Sequence, residues 1–153
     1  MAPLSMLQTE CMDTISPEQR SALMKRVRRS DTTPEVTLRK ALHRLGFRYV
    51  IGDKRLPGTP DLVFPKCRAA VFVHGCFWHG HECRQGRAPS SNVDYWAPKI
   101  VANRARDARK EQALRDLGWR VLIVWECELK GGSLQASVDR LATELTKVPE
   151  PRV

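Results

Sequence analysis

Long apolar segments are missing from this sequence of 153 residues. No stretch approaches the ~18 continuous apolar residues that span a bilayer, because the longest apolar runs have only the length of a β-strand. Residues 1–10 also lack the apolar core of a signal peptide. We therefore expect a soluble protein that is neither inserted into a membrane nor secreted.

The cysteine pattern does not form a disulfide framework. Five cysteines are an odd number, and Cys76 and Cys83 lie close together in the sequence. This pattern favours a reducing, cytoplasmic setting over an extracellular one.

Acidic residues are outnumbered by basic ones. The chain has 26 Lys and Arg against 17 Asp and Glu, which gives a formal net charge of +9. Such a surface suggests a polyanionic partner. The alternative is a basic surface that only aids solubility, because this charge lies only slightly beyond the usual range for a small domain.

Repeats and a second domain are also absent from the sequence pattern. The length fits one domain, which is large enough to bury a hydrophobic core without disulfides. We expect flexible tails at residues 1–14 and 148–153 around a single domain at residues 15–147.

Capping and turn signals divide this domain into helices and strands. Ser16 begins a capping box, and Gly46 and Gly118 supply helix C-caps. The segment 68–74 is almost wholly apolar, which is typical of a strand buried on both faces. Expected helices lie at about 16–28, 33–45, 98–117 and 133–145, and expected strands at 47–51, 61–64, 68–74 and 120–125. The pattern predicts an α/β fold around a central sheet.

The long third helix is expected to pack through its apolar positions. Those expected to face inward are Ile100, Val101, Ala105, Ala108, Leu114 and Leu117.

The densest polar cluster lies between His74 and Cys83, where three of the four histidines and two of the five cysteines fall within ten residues. Cys76, His81 and Cys83 have a C-x4-H-x-C spacing. Zinc takes four such ligands in a tetrahedron, and Cys127, just past a strand, can supply the fourth. We expect a structural zinc site that pins the loop to the sheet. The alternative is unpaired cysteines in packing roles.

His74 and His79 alternate with those ligands and can therefore face a different site. The segment from Pro57 to Asp61 places an aspartate after a rigid turn, one strand before His74. In a hairpin, Asp61 lies beside Val73 and His74. A carboxylate beside a backbone carbonyl and imidazoles is typical of magnesium-dependent phosphodiester cleavage. The alternative is that Asp61 only caps a turn and His79 is structural.

Three segments together resemble the very short patch repair (Vsr) endonucleases. They run from Pro57 to Asp61, from His74 to His79 and from Trp119 to Cys127, and the resemblance extends from about Met12 to Gly132. It implies a restriction-endonuclease-like core of the PD-(D/E)XK type, with a mixed central sheet flanked by helices and a structural zinc site.

The resemblance also implies roles for individual residues. Asp61 would bind Mg²⁺ together with the backbone carbonyl of Val73, which replaces a threonine common in the family. His79 would be the general base. Other residues would act on water at the metal, on the scissile phosphate or on the shape of the site: Glu35, His74 and Asp107. Related nucleases carry a lysine on the strand after the aspartate, but here residues 71–73 are Val-Phe-Val, so histidine takes over that role.

Aromatic residues in and near the polar loop lie among polar residues rather than at core periodicity. The resemblance implies that they form a wedge inserted beside a mismatch, while a methionine on the basic first helix enters from the minor groove. The alternative is that Trp78 and Trp96 are core residues. The implied DNA-binding residues are Met24, Lys25, Arg26, Phe77, Trp78 and Trp96.

The function implied by the resemblance is a Mg²⁺-dependent endonuclease of the bacterial cytoplasm that acts on double-stranded DNA. It would nick one strand 5′ of the mispaired thymine in T:G mismatches that arise from 5-methylcytosine deamination. A monomer and a mismatch-repair protein partner are also expected. Two alternatives remain: a restriction-type endonuclease on intact duplex, and a non-catalytic, zinc-supported DNA-binding module. Asp61 with His74 and His79 argues against the second.

Overall fold

The computed structural model describes residues 16–26 and 30–147. The two expected tails, 1–14 and 148–153, lie outside the described residues, as do positions 27 and 28 of the first expected helix. Within the described ranges, the cysteines are free and no helix is both long enough and apolar enough to cross a bilayer.

The helices and strands follow the expected order. The helices are α1 (Pro17–Arg26), α2 (Thr33–Arg44), α3 (Val93–Asp116) and α4 (Ser133–Thr146). The strands are β1 (Val50–Ile51), β2 (Leu62–Phe64), β3 (Ala69–His74) and β4 (Arg120–Trp125). Short 3-10 turns occur at Pro65–Cys67, Arg84–Gly86 and Glu126–Leu129.

The expected capping box begins α1. The Gln19 N–H donates to Ser16 Oγ at 3.2 Å, and the Ser16 N–H donates to Gln19 Oε1 at 3.0 Å. These two bonds satisfy backbone donors that a helix start otherwise leaves unpaired.

The strands form one mixed sheet in the order β1-β2-β3-β4. β1, β2 and β3 are antiparallel neighbours, whereas β4 pairs in parallel with β3 after the crossover through α3. The register aligns His74 with Trp125 at the carboxyl ends of the parallel pair. The polar segments that follow these two strands therefore leave the sheet at the same edge.

Helices cover both faces of the sheet because alternate residues of β3 point to opposite sides. Ala69 and Val71 pack into a cluster with residues of α2 and α4. Ala70 and Phe72 pack with Leu114 of α3 on the other side. The structure thus confirms the expected α/β architecture, with a mixed central sheet flanked by helices.

The third helix differs from the expectation at its start. It begins at Val93 rather than at Pro98, which lies inside the helix. Proline removes one backbone donor, and α3 tolerates this loss early in its length.

The expected inward face of α3 is largely wrong. Leu114 is fully buried and Ile100 is half-buried, but Val101 is 66 % exposed and Leu117 is 49 % exposed. Ala105 and Ala108 are exposed as well. The physical reason is that part of the inner side of α3 borders a polar cleft, where polar residues take the places that a core would give to apolar ones.

Candidate active site and candidate metal centre

A cleft of about 820 Å³ opens where the β2–β3 hairpin, α2 and α3 meet. Eight residues selected from the sequence line it, and they come from distant chain positions: Met24, Glu35, Asp61, Val73, His74, Trp78, His79 and Asp107. Four other selected residues are not among those that line it: Lys25, Arg26, Phe77 and Trp96. The cleft is the candidate active site.

Asp61 stands immediately before β2, opposite the end of β3, as the expected hairpin requires. Its Oδ2 accepts a hydrogen bond from the Val73 N–H at 2.7 Å. Burial raises the pKa of Asp61 to about 6, and the negative charge of Glu35 acts in the same direction. Burial thus makes the charged form of this carboxylate unfavourable in the chain alone, and a bound cation would offset that cost.

His79 is held by a carboxylate on α3. Its Nδ1 is hydrogen-bonded to Asp107 Oδ2, and its backbone N–H donates to the Gly75 carbonyl at 3.2 Å. A carboxylate at Nδ1 fixes the orientation of the ring and leaves Nε2 for a second partner. This is the arrangement of an oriented general base.

His74 lies against the ring of His79. The two ring centroids are 4.0 Å apart, and the planes differ by only 3°. Burial lowers the pKa of His74 to about 4, and neighbouring His79 acts in the same direction. His74 is therefore neutral at physiological pH and supports the ring of His79 without adding charge.

His74, His79 and Asp107 lie close enough together to be considered as metal ligands. The stacked rings argue against this use. Their nitrogen lone pairs lie in the planes of two stacked, nearly parallel rings, and one ion cannot lie in both planes. The geometry favours proton transfer at His79 over chelation.

Glu35 is buried at the start of α2 and has several partners. Its Oε1 accepts from Thr32 Oγ1 at 2.9 Å, and its Oε2 accepts from the Asp31 N–H at 2.9 Å. Arg39, one turn later, donates to Oε2 at 3.1 Å. These contacts stabilise the start of α2, and they hold a carboxylate on the wall of the Asp61 cleft.

A second cluster, the candidate metal centre, lies beside the cleft. The ligand atoms of Cys76, His81, Cys83 and Cys127 all lie within 4.8 Å of one another. The parallel register explains the meeting of residues so far apart in sequence. Cys76 follows the end of β3 by two residues, and Cys127 follows the end of β4 by two residues.

The loop that carries this centre is closely packed. The His81 N–H donates to the Cys76 carbonyl at 2.9 Å, and the His81 ring stacks on Trp125 with centroids 4.2 Å apart. A Cβ on Gly86 would lie 1.9 Å from the His81 carbonyl oxygen, so only glycine fits there. Burial raises the pKa of the Cys76 thiol to about 12. This sulfur would therefore be a thiolate near neutral pH only when a metal cation is bound to it.

The aromatic residues form a cluster, and one of them is not exposed. Phe77 lies 5.1 Å from Trp78 and 5.1 Å from Trp96, measured between ring centroids. Trp96 is only 7 % exposed, as expected from the alternative in which it is a core residue. The reason is the early start of α3, which places Trp96 on a helix beneath the loop. Phe77 and Trp78 remain half-exposed.

Some residues of the cleft were missed by the sequence argument. One side of α3 lines the cleft with polar residues spaced three or four apart, namely Lys99, Asn103, Arg106 and Lys110. Arg39 lines it from α2. Helical spacing of polar residues was the available signal, but a polar face usually indicates solvent rather than a cleft.

Comparisons with known proteins find relatives among DNA endonucleases. A family model described as DNA mismatch endonuclease Vsr matches residues 12–85. The type II nicking enzyme V.XorIIP of Xanthomonas oryzae is 58 % identical over 125 residues, which cover 81 % of this chain and 92 % of the relative. The DNA mismatch endonuclease Vsr of Escherichia coli is 43 % identical over 112 residues, covering 73 % and 72 %. The type II nicking enzyme V.NmeAIP of Neisseria meningitidis is 43 % identical over 134 residues, covering 87 % and 96 %.

Asp61→Asn should stabilise the protein at pH 7.5 when no Mg²⁺ is bound. The pKa of Asp61 in the folded chain, about 6, lies above its ordinary value of 3.8, so folding buries a charge above pH 6. That cost, roughly 1–3 kcal/mol, fades as the pH falls from 6 to 4. Asparagine keeps an acceptor for the Val73 N–H.

Thermal unfolding without added Mg²⁺, at pH 7.5 and at pH 4, measures this effect. The unfolding temperature of Asp61→Asn should exceed that of the wild type at pH 7.5 and equal it at pH 4. Asp139→Asn, at an exposed position on α4, is the matched control and should change little at either pH. An equal gain at both pH values would contradict the buried charge at Asp61.

Proposed function

The chain belongs to the Vsr family of DNA mismatch endonucleases, and from this premise we propose that it nicks one strand of a duplex carrying a T:G mismatch. The cut would fall 5′ of the mispaired thymine, in mismatches that arise by deamination of 5-methylcytosine. The reaction would require Mg²⁺.

The observation that carries this proposal is the composition of the cleft. Asp61, with its raised pKa, stands in the same cleft as the His79–Asp107 pair. A carboxylate that needs a cation and an imidazole oriented by a second carboxylate are the two parts that metal-assisted hydrolysis of a phosphodiester requires.

One-strand cleavage is supported by the number of such sites. In the described part of the chain, Asp61 and the His79–Asp107 pair form one set of proposed catalytic groups in one cleft. A monomer would therefore act on one phosphodiester at a time. Two relatives are named nicking enzymes, and a third is named a mismatch endonuclease. These observations favour nicking over the restriction-type alternative, in which both strands of an intact duplex are cut.

Asp61 and the Val73 carbonyl are the proposed Mg²⁺ ligands. The carboxylate offers the hard oxygen that magnesium prefers, and its raised pKa shows that its charge is poorly compensated in the chain alone. When bound, Mg²⁺ would supply positive charge that stabilises the phosphate in the transition state.

His79 is the proposed general base. Its Nε2 accepts the proton of the attacking water as that water forms a bond to phosphorus and the P–O bond to the leaving group breaks. Asp107 then stabilises the imidazolium through Nδ1. His74 restricts the ring by stacking, and Glu35 adds negative charge beside Asp61.

DNA recognition is assigned to α1 and to the aromatic cluster. Lys25 and Arg26 are exposed on α1 and would contact phosphates, while Met24 lines the cleft. Phe77 and Trp78 would insert beside the mismatch, where weakened stacking lowers the cost of opening the duplex. Trp96, buried against both rings, would back them.

Zinc is the proposed ion of the Cys76, His81, Cys83 and Cys127 cluster. Three sulfurs and one imidazole close a tetrahedral set without an open position, which is typical of a structural zinc. This ion would complete a restriction-endonuclease-like core of the PD-(D/E)XK type. A monomer of the bacterial cytoplasm that works with a mismatch-repair protein remains part of the same proposal.

A duplex panel tests the proposed reaction. With Mg²⁺, a T:G duplex in a methyltransferase-type context should be cut only in the strand with the thymine, and the matched C:G duplex should stay intact. Asp61→Asn should abolish nicking and leave binding largely unchanged, because it removes a ligand without altering the aromatic cluster. Strand-specific end labels read out the products. Cleavage of both strands of the matched duplex would favour the restriction-type alternative, and binding without cleavage under every metal would favour the non-catalytic module.

Removal of the general base should slow nicking by ~100-fold or more. We expect His79→Ala to show this loss in single-turnover rates at saturating protein, with partial recovery at higher pH where hydroxide is more abundant. Asp107→Asn should also be slow, because it no longer stabilises the charged ring. His43→Ala, an exposed histidine of α2, is the control and should react at the wild-type rate. An unchanged rate in His79→Ala would exclude the proposed base.

Cys127→Ser should lose zinc and lower the thermal stability of the chain. Structural zinc stabilises a small fold by several kcal/mol, and one missing ligand opens the closed set. Metal analysis of purified protein should find about one zinc per wild-type chain. Cys67→Ser, a half-buried cysteine outside the cluster, should keep its zinc. Wild-type protein without zinc, or an equal zinc content in Cys127→Ser, would contradict this proposal.

A further inference from the structure

Lys110 lines the cleft and has no hydrogen-bond or ion-pair partner within the described residues. It lies on α3 three residues after Asp107, so both project from the same side of the helix, and both line the cleft. The other cations that line the cleft have hydrogen-bond partners, although only Arg39 is ion-paired in the described part of the chain. Arg39 bonds Asp31 and Glu35, Lys99 bonds the Tyr95 hydroxyl, and Arg106 bonds Asn103.

The aliphatic stem of Lys110 is held in place by the turn that leads to Asp61. Gly58 in this turn has a φ of +76°, and a Cβ there would lie 2.8–2.9 Å from the Lys110 Cβ, Cγ and Cδ atoms. The stem therefore occupies the space that any larger residue at position 58 would need. This contact fixes the side chain between the Asp61 turn and the Asp107 helix.

Lys110 lines the same cleft as Asp61 and His74, and its charge is close enough to interact electrostatically with both residues. Its ammonium group is therefore available in this cleft to an anionic substrate.

We propose that Lys110 Nζ donates a hydrogen bond to a non-bridging oxygen of the phosphate that is cleaved. The inference rests on the proposed nuclease function, and it adds a substrate-contacting residue that the sequence motifs do not contain. β3 carries no lysine, since residues 71–73 are Val-Phe-Val. α3 supplies one to the same cleft from a different direction. A cation fixed beforehand stabilises the growing negative charge of the transition state without reorganising.

Neutral-phosphate substitution tests this contact by binding alone. Wild-type cleavage first locates the scissile linkage. A methylphosphonate then replaces that linkage, each diastereomer separately, and affinities are measured without Mg²⁺, so that neither cleavage nor the catalytic metal contributes and the proposed zinc is kept. The affinity of the wild-type protein should fall roughly tenfold or more with at least one diastereomer, because a charge-assisted hydrogen bond is lost.

Lys110→Met keeps the stem that packs on Gly58 and removes only the ammonium group. It should bind the natural duplex less tightly than wild type does. Its affinity should fall less than about threefold when the methylphosphonate replaces the natural linkage. Arg109→Met is the matched control, because it removes one positive charge from the adjacent, exposed position. Its affinity should fall as much with the methylphosphonate as that of the wild type. At saturating protein with Mg²⁺, Lys110→Met should nick at least roughly tenfold more slowly than Arg109→Met.

Each outcome decides between the two readings of Lys110. Equal losses from the methylphosphonate in wild type and Lys110→Met would overturn the proposed contact. If Lys110→Ala binds and nicks DNA poorly while Lys110→Met behaves as the wild type does, the residue acts by positioning the Gly58 turn. Should Lys110→Met fail to fold, Lys110→Arg and Lys110→Gln replace it, and only the arginine should retain the sensitivity to methylphosphonate.

Failure of the proposed function is read separately. A wild-type protein that leaves T:G duplexes intact and cuts another duplex would contradict the T:G assignment, and the methylphosphonate is then placed at the linkage that is cut. A protein that cuts no DNA would contradict both proposals.

Discussion

The parallel pairing of β3 with β4 is the interaction on which both sites depend. Its register places His74 beside Trp125, and the segments that follow these residues leave the sheet together. One of them turns back through His79 into the cleft, while Cys76 and Cys127 meet beside it. A shift of one residue would turn the side chains of β4 to the opposite face and separate the two sulfurs.

The cleft gathers more charge than a protein interior ordinarily accepts. Burial makes the ionised form of Asp61 unfavourable, and buried Glu35 adds negative charge beside it. Arg39 and Lys110 offset this only in part, because the pKa of Asp61 remains raised. Such poorly compensated charge is typical of sites that complete their electrostatics with a ligand. The chain thus gives up some stability to keep an ionised carboxylate in the cleft.

Much of the fold could be predicted because the local signals agree with the tertiary contacts. The apolar run of β3 and the Ser16 capping box each correspond to one observed element. The cysteine and histidine spacing also predicted the four-residue cluster. The inner face of α3 could not be predicted from apolar periodicity, because its partner is a polar cleft. Lys110 shares the polar spacing of α3, but that spacing does not show that its side chain packs on Gly58, which is far away in sequence.

The β3–β4 pairing also has a consequence for the order of folding. Its partners, such as Ala69 and Arg120, lie roughly fifty residues apart in sequence, whereas the β2–β3 hairpin joins near neighbours. Closing the longer loop costs more chain entropy, so the hairpin that carries Asp61 has the lower barrier to formation. A nascent chain that has not yet emerged beyond α3 therefore contains the Asp61 turn but lacks the strand that holds the His79 loop against it. The complete cleft would therefore form only when the last strand joins the sheet.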